Sequence, residues 1–482
     1  MSPKKVTEAY SFSEANRIFV IIKNRLSIIM SKSSYLISLL FLFIITVTSF
    51  AEDSYGFRVY LNNKGNEAIQ LSPQALERRK RLSIPLDDMD RPIASQCLDS
   101  LEKKGFQIIV SSRWLSTVVV ATNDSANIER LQHLSIVDSI KWVWKGEIDQ
   151  SSTIEKSWDS DQHLKPSDNP LRSPYGYAEE QIKMLKGDRL HKAGFKGKGV
   201  VIAVIDDGFR NADRITAFDS LQLMGTRNFV FPQRSVFEGD DHGTKVLSCL
   251  AAYEPGVMIG TAPEASYWLI KSEDNRSEFP IEEDYWTAAA EFADSVGVDM
   301  ITTSLGYSFF DENTMNYSHN ALDGQTAHIS KAAEIAAEKG ILIFCSAGNE
   351  GTSRWGRITF PADAKDILTI GSITTKKEKS VFSSPGYSAD GRIKPDLVAL
   401  GSGCCVIEPT GNLRYANGTS FSTPILAGLG ACLWQALPWL SPNELIELLR
   451  QSGSQYKHPD EQLGYGLPNI YKIYKKERKN GK

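Results

Sequence analysis

Val201-Ile-Ala-Val-Ile-Asp206-Asp-Gly208 runs five apolar residues straight into a carboxylate and a glycine. A strand with no polar alternation is one buried on both faces, as in parallel sheets covered by helices. A carboxylate at its carboxyl end stands where open α/β sheets hold their functional groups. Working outward, strand-like runs at Ser266–Lys271, Met300–Ser304, Ile341–Cys345, Ile367–Ile373 and Asp396–Leu400 alternate with helical patterns. The helices begin at His242, cover Glu283–Val296 and Thr326–Lys339, and begin again at Ser420 and Ser441. This order predicts an α/β fold: a doubly wound, mostly parallel sheet with helices on both faces, over residues 175–482.

Upstream the pattern differs. Residues 52–148 read as a small α+β unit, with strands at Phe57–Leu61, Gln107–Val110, Ser116–Val120 and Ile136–Trp144. A helix should start at Ser72, with Pro73 in its first position. Its basic run Arg78-Arg-Lys-Arg81 reads as a solvated face that suits the helix dipole. Residues 149–174 are rich in Ser, Asp and Pro and read as an exposed linker. Residues 1–51 read as a targeting segment. Tyr35 to Val47 is an uncharged thirteen-residue apolar run, too short to span a membrane comfortably and right for a signal peptide. Ser49 and Ala51 suit a cut before Glu52, and Met30 makes a better start than Met1. No stable membrane span is expected once that segment is removed.

Composition narrows the function. The chain has 482 residues, 41% apolar and 23% charged, with a formal net charge of −4. That is ordinary for a soluble globular protein, and it lacks the basic face that nucleic-acid binding needs. Its six cysteines show no zinc-site spacing. Cys249 and Cys345 fall in apolar segments and read as buried small hydrophobes.

Four segments carry chemistry. Asp206 ends its strand; Asp240-Asp-His242-Gly-Thr244 opens a helix with an imidazole; Cys345-Ser-Ala-Gly-Asn349 places an amide after a strand; and Gly418-Thr-Ser420-Phe-Ser-Thr-Pro424 places a hydroxyl at a glycine turn into a helix. Asp, His, Ser is the subtilisin chain order, and no Gly-x-Ser-x-Gly with Ser before Asp before His points to a lipase or esterase.

These segments resemble the subtilisin family of serine proteases. Ser304-Leu305-Gly306, Gly260-Thr-Ala-Pro263, Phe360-Pro-Ala362 and Lys394-Pro-Asp396 match further family landmarks in order, over roughly residues 199–470. The resemblance implies that Asp206, His242 and Ser420 form the triad and that Asn349 donates to the oxyanion. It implies that Ser304, Leu305 and Gly306 form an edge strand binding extended peptide, with Gly348 on the facing wall. Protein or peptide substrates are the expected partners, together with residues 52–148 as an inhibitory propeptide cut away by the enzyme itself. No cofactor is required; structural calcium is common in the family, but no motif locates a site. The walls Ser304–Gly306 and Ser346–Gly348 show no obvious charge, which suggests a large apolar side chain before the scissile bond. Lys245, where many relatives have a second histidine, is expected to face solvent. An exported precursor, extracellular or periplasmic, follows from these readings.

Overall fold

The computed structural model describes residues 54–147, 165 and 169–479. The targeting segment and most of the 149–174 linker lie outside them.

Residues 54–147 form a four-stranded antiparallel sheet in the order Gln107–Ser112, Thr117–Thr122, Ser54–Leu61, Val137–Gly146. Val118 and Val120 point to one face, where Phe57, Val59, Leu101, Phe106 and Leu131 close a small core under the domain's own helices. Val119 points the other way and joins Val110, Trp114, Val143 and Trp144 in a core shared with the second domain. Successive side chains of a strand face opposite ways, so a strand buried on both faces shows an unbroken apolar run.

The helix Pro73–Arg81 starts as its sequence predicts, Ser72 Oγ accepting the Ala75 N–H at 3.1 Å. Its basic run does not face solvent. Arg78 and Arg79 are buried, and both bind the fully buried carboxylate of Asp294, Arg79 at 2.9 Å. Arg79 also meets Asp90 at 2.9 Å. The reason lies in the second domain, whose helix Ile281–Val296 turns Asp284, Glu291 and Asp294 toward this unit. Spacings of seven and three residues put the three acids on one helix face. Arg58 grips Asp284 with two hydrogen bonds, at 2.7 and 2.6 Å. Glu291 accepts the Arg113 and Trp114 N–H groups at 3.0 and 3.1 Å.

His328 sits behind this seam, its Nε2 3.3 Å from Asp284 Oδ1, with Arg58 beyond. Burial, together with the nearby Arg58 guanidinium, pushes its pKa down to about 4. A histidine near 6.5 when unfolded and about 4 when folded binds more protons unfolded throughout that interval. Its stabilising contribution is therefore complete above pH 6.5 and is lost as pH falls toward 4, by roughly 3 kcal/mol. The urea midpoint of a Ser420→Ala precursor should fall across that window, and His328→Gln should flatten the slope; equal slopes would contradict it.

The second domain is built on seven parallel strands in the order Leu397–Leu400, Leu368–Ile373, Leu342–Ser346, Met300–Thr303, Val201–Asp206, Ser266–Lys271, Gln222–Asn228. Ile202 and Val204 pack toward the helices His242–Ala251 and Thr419–Ala436. Ala203 and Ile205 pack toward Ile281–Val296 and His328–Glu338. Strand order reverses at Val201–Asp206: the chain goes on to build one side through Ser266–Lys271 and the other through Met300–Thr303. Crevices at such reversals, beyond the carboxyl ends of the strands, are where these folds bind ligands. Among the described residues no helix is long and apolar enough to cross a membrane.

Candidate active site

The crevice gathers residues far apart in sequence. Asp206, 1% exposed, ends its strand, and its Oδ1 lies 2.7 Å from His242 Nδ1. His242 is the first residue of the helix His242–Ala251, and Asp207 Oδ1 accepts the Gly243 N–H at 3.2 Å. Asp207 thereby satisfies a helix-terminal donor that would otherwise be orphaned.

Ser420 is the second residue of the helix Thr419–Ala436. Pro424 lacks the N–H that would bond the Ser420 carbonyl four residues back. That freed carbonyl accepts the Ser304 hydroxyl at 2.9 Å, tying the helix start to the end of the central strand. The Ser420 hydroxyl donates to Ser304 O at 3.3 Å and to no nitrogen of His242. Active-site hydrogen bonds are commonly loose before substrate arrives. The Ser420 N–H points out of the helix start, where the dipole favours negative charge.

Asn349 follows Gly348, whose φ of +99° lets the chain turn after the strand Leu342–Ser346. Asn349 Oδ1 accepts the Thr419 N–H at 2.9 Å and the Thr419 hydroxyl at 3.1 Å. With the oxygen so engaged, the Nδ2 donors are the end left to face the cleft.

Ser304, Leu305 and Gly306 are not an edge strand. They continue the central strand Met300–Thr303 past its last ladder pair and line the cleft. Gly348 lies on the opposite wall. The cleft encloses about 360 Å³ and also contains Asp207, Glu273, Glu278 and Glu350. Burial, countered in part by the Tyr307 hydroxyl and reinforced by Glu278, raises the Glu273 pKa to about 8. Burial and the adjacent Asp206 charge raise Asp207 to about 6. The lining is thus acidic, contrary to the sequence reading of the two walls alone. Glu273 and Glu278 sit on the loop after Ser266–Lys271, and nothing in their local pattern ties them to the triad segments.

Lys245 is half-buried, neither fully solvated nor packed away. It pairs with Asp241 at 2.6 Å, with its side chain 21% exposed, and its charge is the weakest of the influences resolved on His242. Burial opposes a charged imidazole there, but the Asp206 carboxylate outweighs it and pushes the His242 pKa up to about 9.

Among the described residues, Asp206, Asp207 and His242 bring ligand atoms within 4.8 Å of one another. This set does not suit calcium, which takes oxygen ligands, because one of its members is an imidazole. Asp206 Oδ1 is already occupied by His242 and the Asp207 N–H, the latter at 2.9 Å.

Residues 197–466 match the subtilase family. The chain belongs to that family. Residues 56–159 match the peptidase S8 propeptide domain of Bacteroidota, so this subtilase carries its family's propeptide domain ahead of the catalytic domain. It is 27% identical to subtilisin DY of Bacillus licheniformis over 302 residues, covering 62% of this chain and 97% of that protein. It is 28% identical to subtilisin E of Bacillus subtilis over 301 residues, covering 62% of this chain and 70% of that one. In fold it is similar to the epidermin leader peptide processing serine protease from Staphylococcus aureus, with a TM-score of 0.59 at 17% identity, covering 87% of this chain and 98% of that one. The subtilase is a serine endopeptidase with a doubly wound parallel sheet, as its sequence predicts.

Proposed function

We propose that Asp206, His242 and Ser420 are the triad of this subtilase, that Asn349 and the Ser420 N–H hold the oxyanion, and that the chain is an exported precursor that processes itself. The observation that carries the reading is the Asp206–His242 hydrogen bond of 2.7 Å in a cleft that Ser420 and Asn349 also line. A serine hydroxyl attacks a carbonyl only when a base takes its proton. His242 is that base through Nε2, while Asp206 holds the tautomer at Nδ1 and stabilises the imidazolium. The proton then passes to the leaving amine, and water repeats the cycle to free the acid. Substrate lies extended along Ser304, Leu305 and Gly306, pairing with their backbone groups as an added strand does. Fluorophosphonate labelling followed by casein digestion tests the assignment: label on Ser420 and loss of casein cleavage support it, and label elsewhere sinks it.

Asn349→Ala should leave a folded enzyme whose kcat falls roughly 10²–10³-fold, since one oxyanion donor is gone. Steady-state kinetics on a peptide ester reads this; an unchanged kcat would place the donor elsewhere.

The Asp206 carboxylate pushes the His242 pKa up, to about 9 in the precursor. Activity needs the neutral ring, so kcat/KM should rise with pH, its acid-limb inflection above the ordinary imidazole value of about 6.5. A pH profile from 6 to 10 checks this, and an inflection at or below 6.5 contradicts it.

Maturation would cut within 149–174, releasing residues 52–148. The exposed composition of that segment supports the reading, since exposed polar loops are where proteases cut. Export, to the periplasm or the medium, rests on the apolar run Tyr35–Val47. Structural calcium, on the same family grounds, would be an aid to stability rather than a reactant.

A further inference from the structure

Of the cleft side chains outside the triad and the oxyanion hole, one reaches both walls. Thr359 is stitched between the two walls: its N–H donates to Ala347 O at 3.2 Å, and Phe360 exchanges backbone bonds of 2.9 and 3.0 Å with Tyr307. Its side chain fills the space that glycines on both walls leave. A Cβ at Gly306 would collide with Thr359 Oγ1, and a Cβ at Gly348 would lie 2.9 Å from both Thr359 Oγ1 and Cγ2. Thr359 is only 3% exposed, and its Oγ1 has no hydrogen-bond partner within the fold. Buried polar groups are nearly always paired, so an unpaired one lining a substrate cleft is completed by what binds there.

We propose that Thr359 limits the residue just before the scissile bond to Gly, Ala or Ser. This rests on the peptidase reading above. A carbonyl attacked by Ser420 sits between the Asn349 and Ser420 donors. The side chain preceding it must enter the slot beside them, between Gly306 and Gly348, and Thr359 closes that slot. Leucine and phenylalanine do not fit, whereas serine brings a hydroxyl within reach of Thr359 Oγ1. The large apolar residue suggested by the bare walls is thereby replaced.

The test uses the full chain after self-processing, with peptide p-nitroanilides that differ only in Ala, Ser, Leu or Phe before the cut, and fluorophosphonate labelling alongside. One methylene in a pocket is worth roughly 10–200-fold in kcat/KM. The wild type should therefore favour Ala over Phe by at least about tenfold, and Thr359→Gly should reduce that ratio at least about tenfold by speeding the Phe substrate. Thr359→Val, equal in size but without the hydroxyl, should keep the preference for Ala over Phe and lose any for Ser over Ala. Labelling of Ser420 in each variant reports an intact site. A labelled wild type that does not favour the small residues, or a labelled Thr359→Gly enzyme with the wild-type ratio, overturns this assignment alone. A wild type that is neither labelled at Ser420 nor active on any of the four overturns the peptidase reading, and this inference with it.

Discussion

Ser420→Ala and His242→Ala should each lower kcat by roughly 10⁶-fold, the scale of loss found when the nucleophile or base of subtilisin itself is removed. The two losses should be nearly equal and should not add. A nucleophile without its base, or a base without its nucleophile, leaves only the oxyanion hole and binding to act, so the double variant should be no slower than either single one. In the structure the reason is spatial. His242 is held by Asp206 at 2.7 Å in the cleft that Ser420 also lines, so each group acts through the other. Peptide-ester kinetics on the two single variants and the double variant decide it. Turnover in Ser420→Ala comparable to wild type would remove this serine from the chemistry.

Asp294→Ala should destabilise the precursor by about 3–5 kcal/mol, because it removes the carboxylate that two buried arginines share and leaves Arg79 with Asp90 alone. Arg78 and Arg79 are 3% and 2% exposed, and both depend on this carboxylate. Taking away one member of a buried ionic cluster leaves the others charged and desolvated, which costs far more than a surface pair is worth. Lys80→Ala, at an exposed position in the same basic run, should change stability by less than about 0.5 kcal/mol. Urea unfolding of both variants in a Ser420→Ala background makes the comparison. Equal midpoints would mean that the arginines contribute no more than a solvated face.

What could be read from residues alone follows physical lines. The buried strands were legible because burial on both faces leaves an uninterrupted apolar run, as in Val201–Ile205 and Leu342–Cys345. The strand Gln222–Asn228 was not legible. It forms the sheet edge, most of its side chains are exposed, and its register shifts near Gly225. The segments carrying Asp206, His242, Ser420 and Asn349 were legible because each couples a functional group to a strand end or helix start. The fate of Arg78 and Arg79 was hidden, since whether a basic run meets water or acid depends on a helix more than two hundred residues away. Thr359 was hidden for a similar reason: its meaning comes from two glycine-bearing walls contributed by other segments.

The parallel sheet has a kinetic consequence. Parallel neighbours cannot be joined by a tight hairpin, so every pairing waits on a long crossover. The strand at the switch point and its central neighbour are 98 residues apart where Val201 meets Asp299. Closing loops of that length costs entropy before any contact repays it, and folding rates fall as contacts become less local. In the antiparallel unit at residues 54–147 only Gln107–Ser112 and Thr117–Thr122 pair across a short turn, while Ser54 lies opposite Gly146 across nearly the whole unit. That hairpin carries the least closure entropy, whereas Arg58, Arg78 and Arg79 meet the acids of Ile281–Val296 across more than two hundred residues. Contact order therefore makes both large sheets slow to close, with the hairpin of residues 107–122 the least costly step in either.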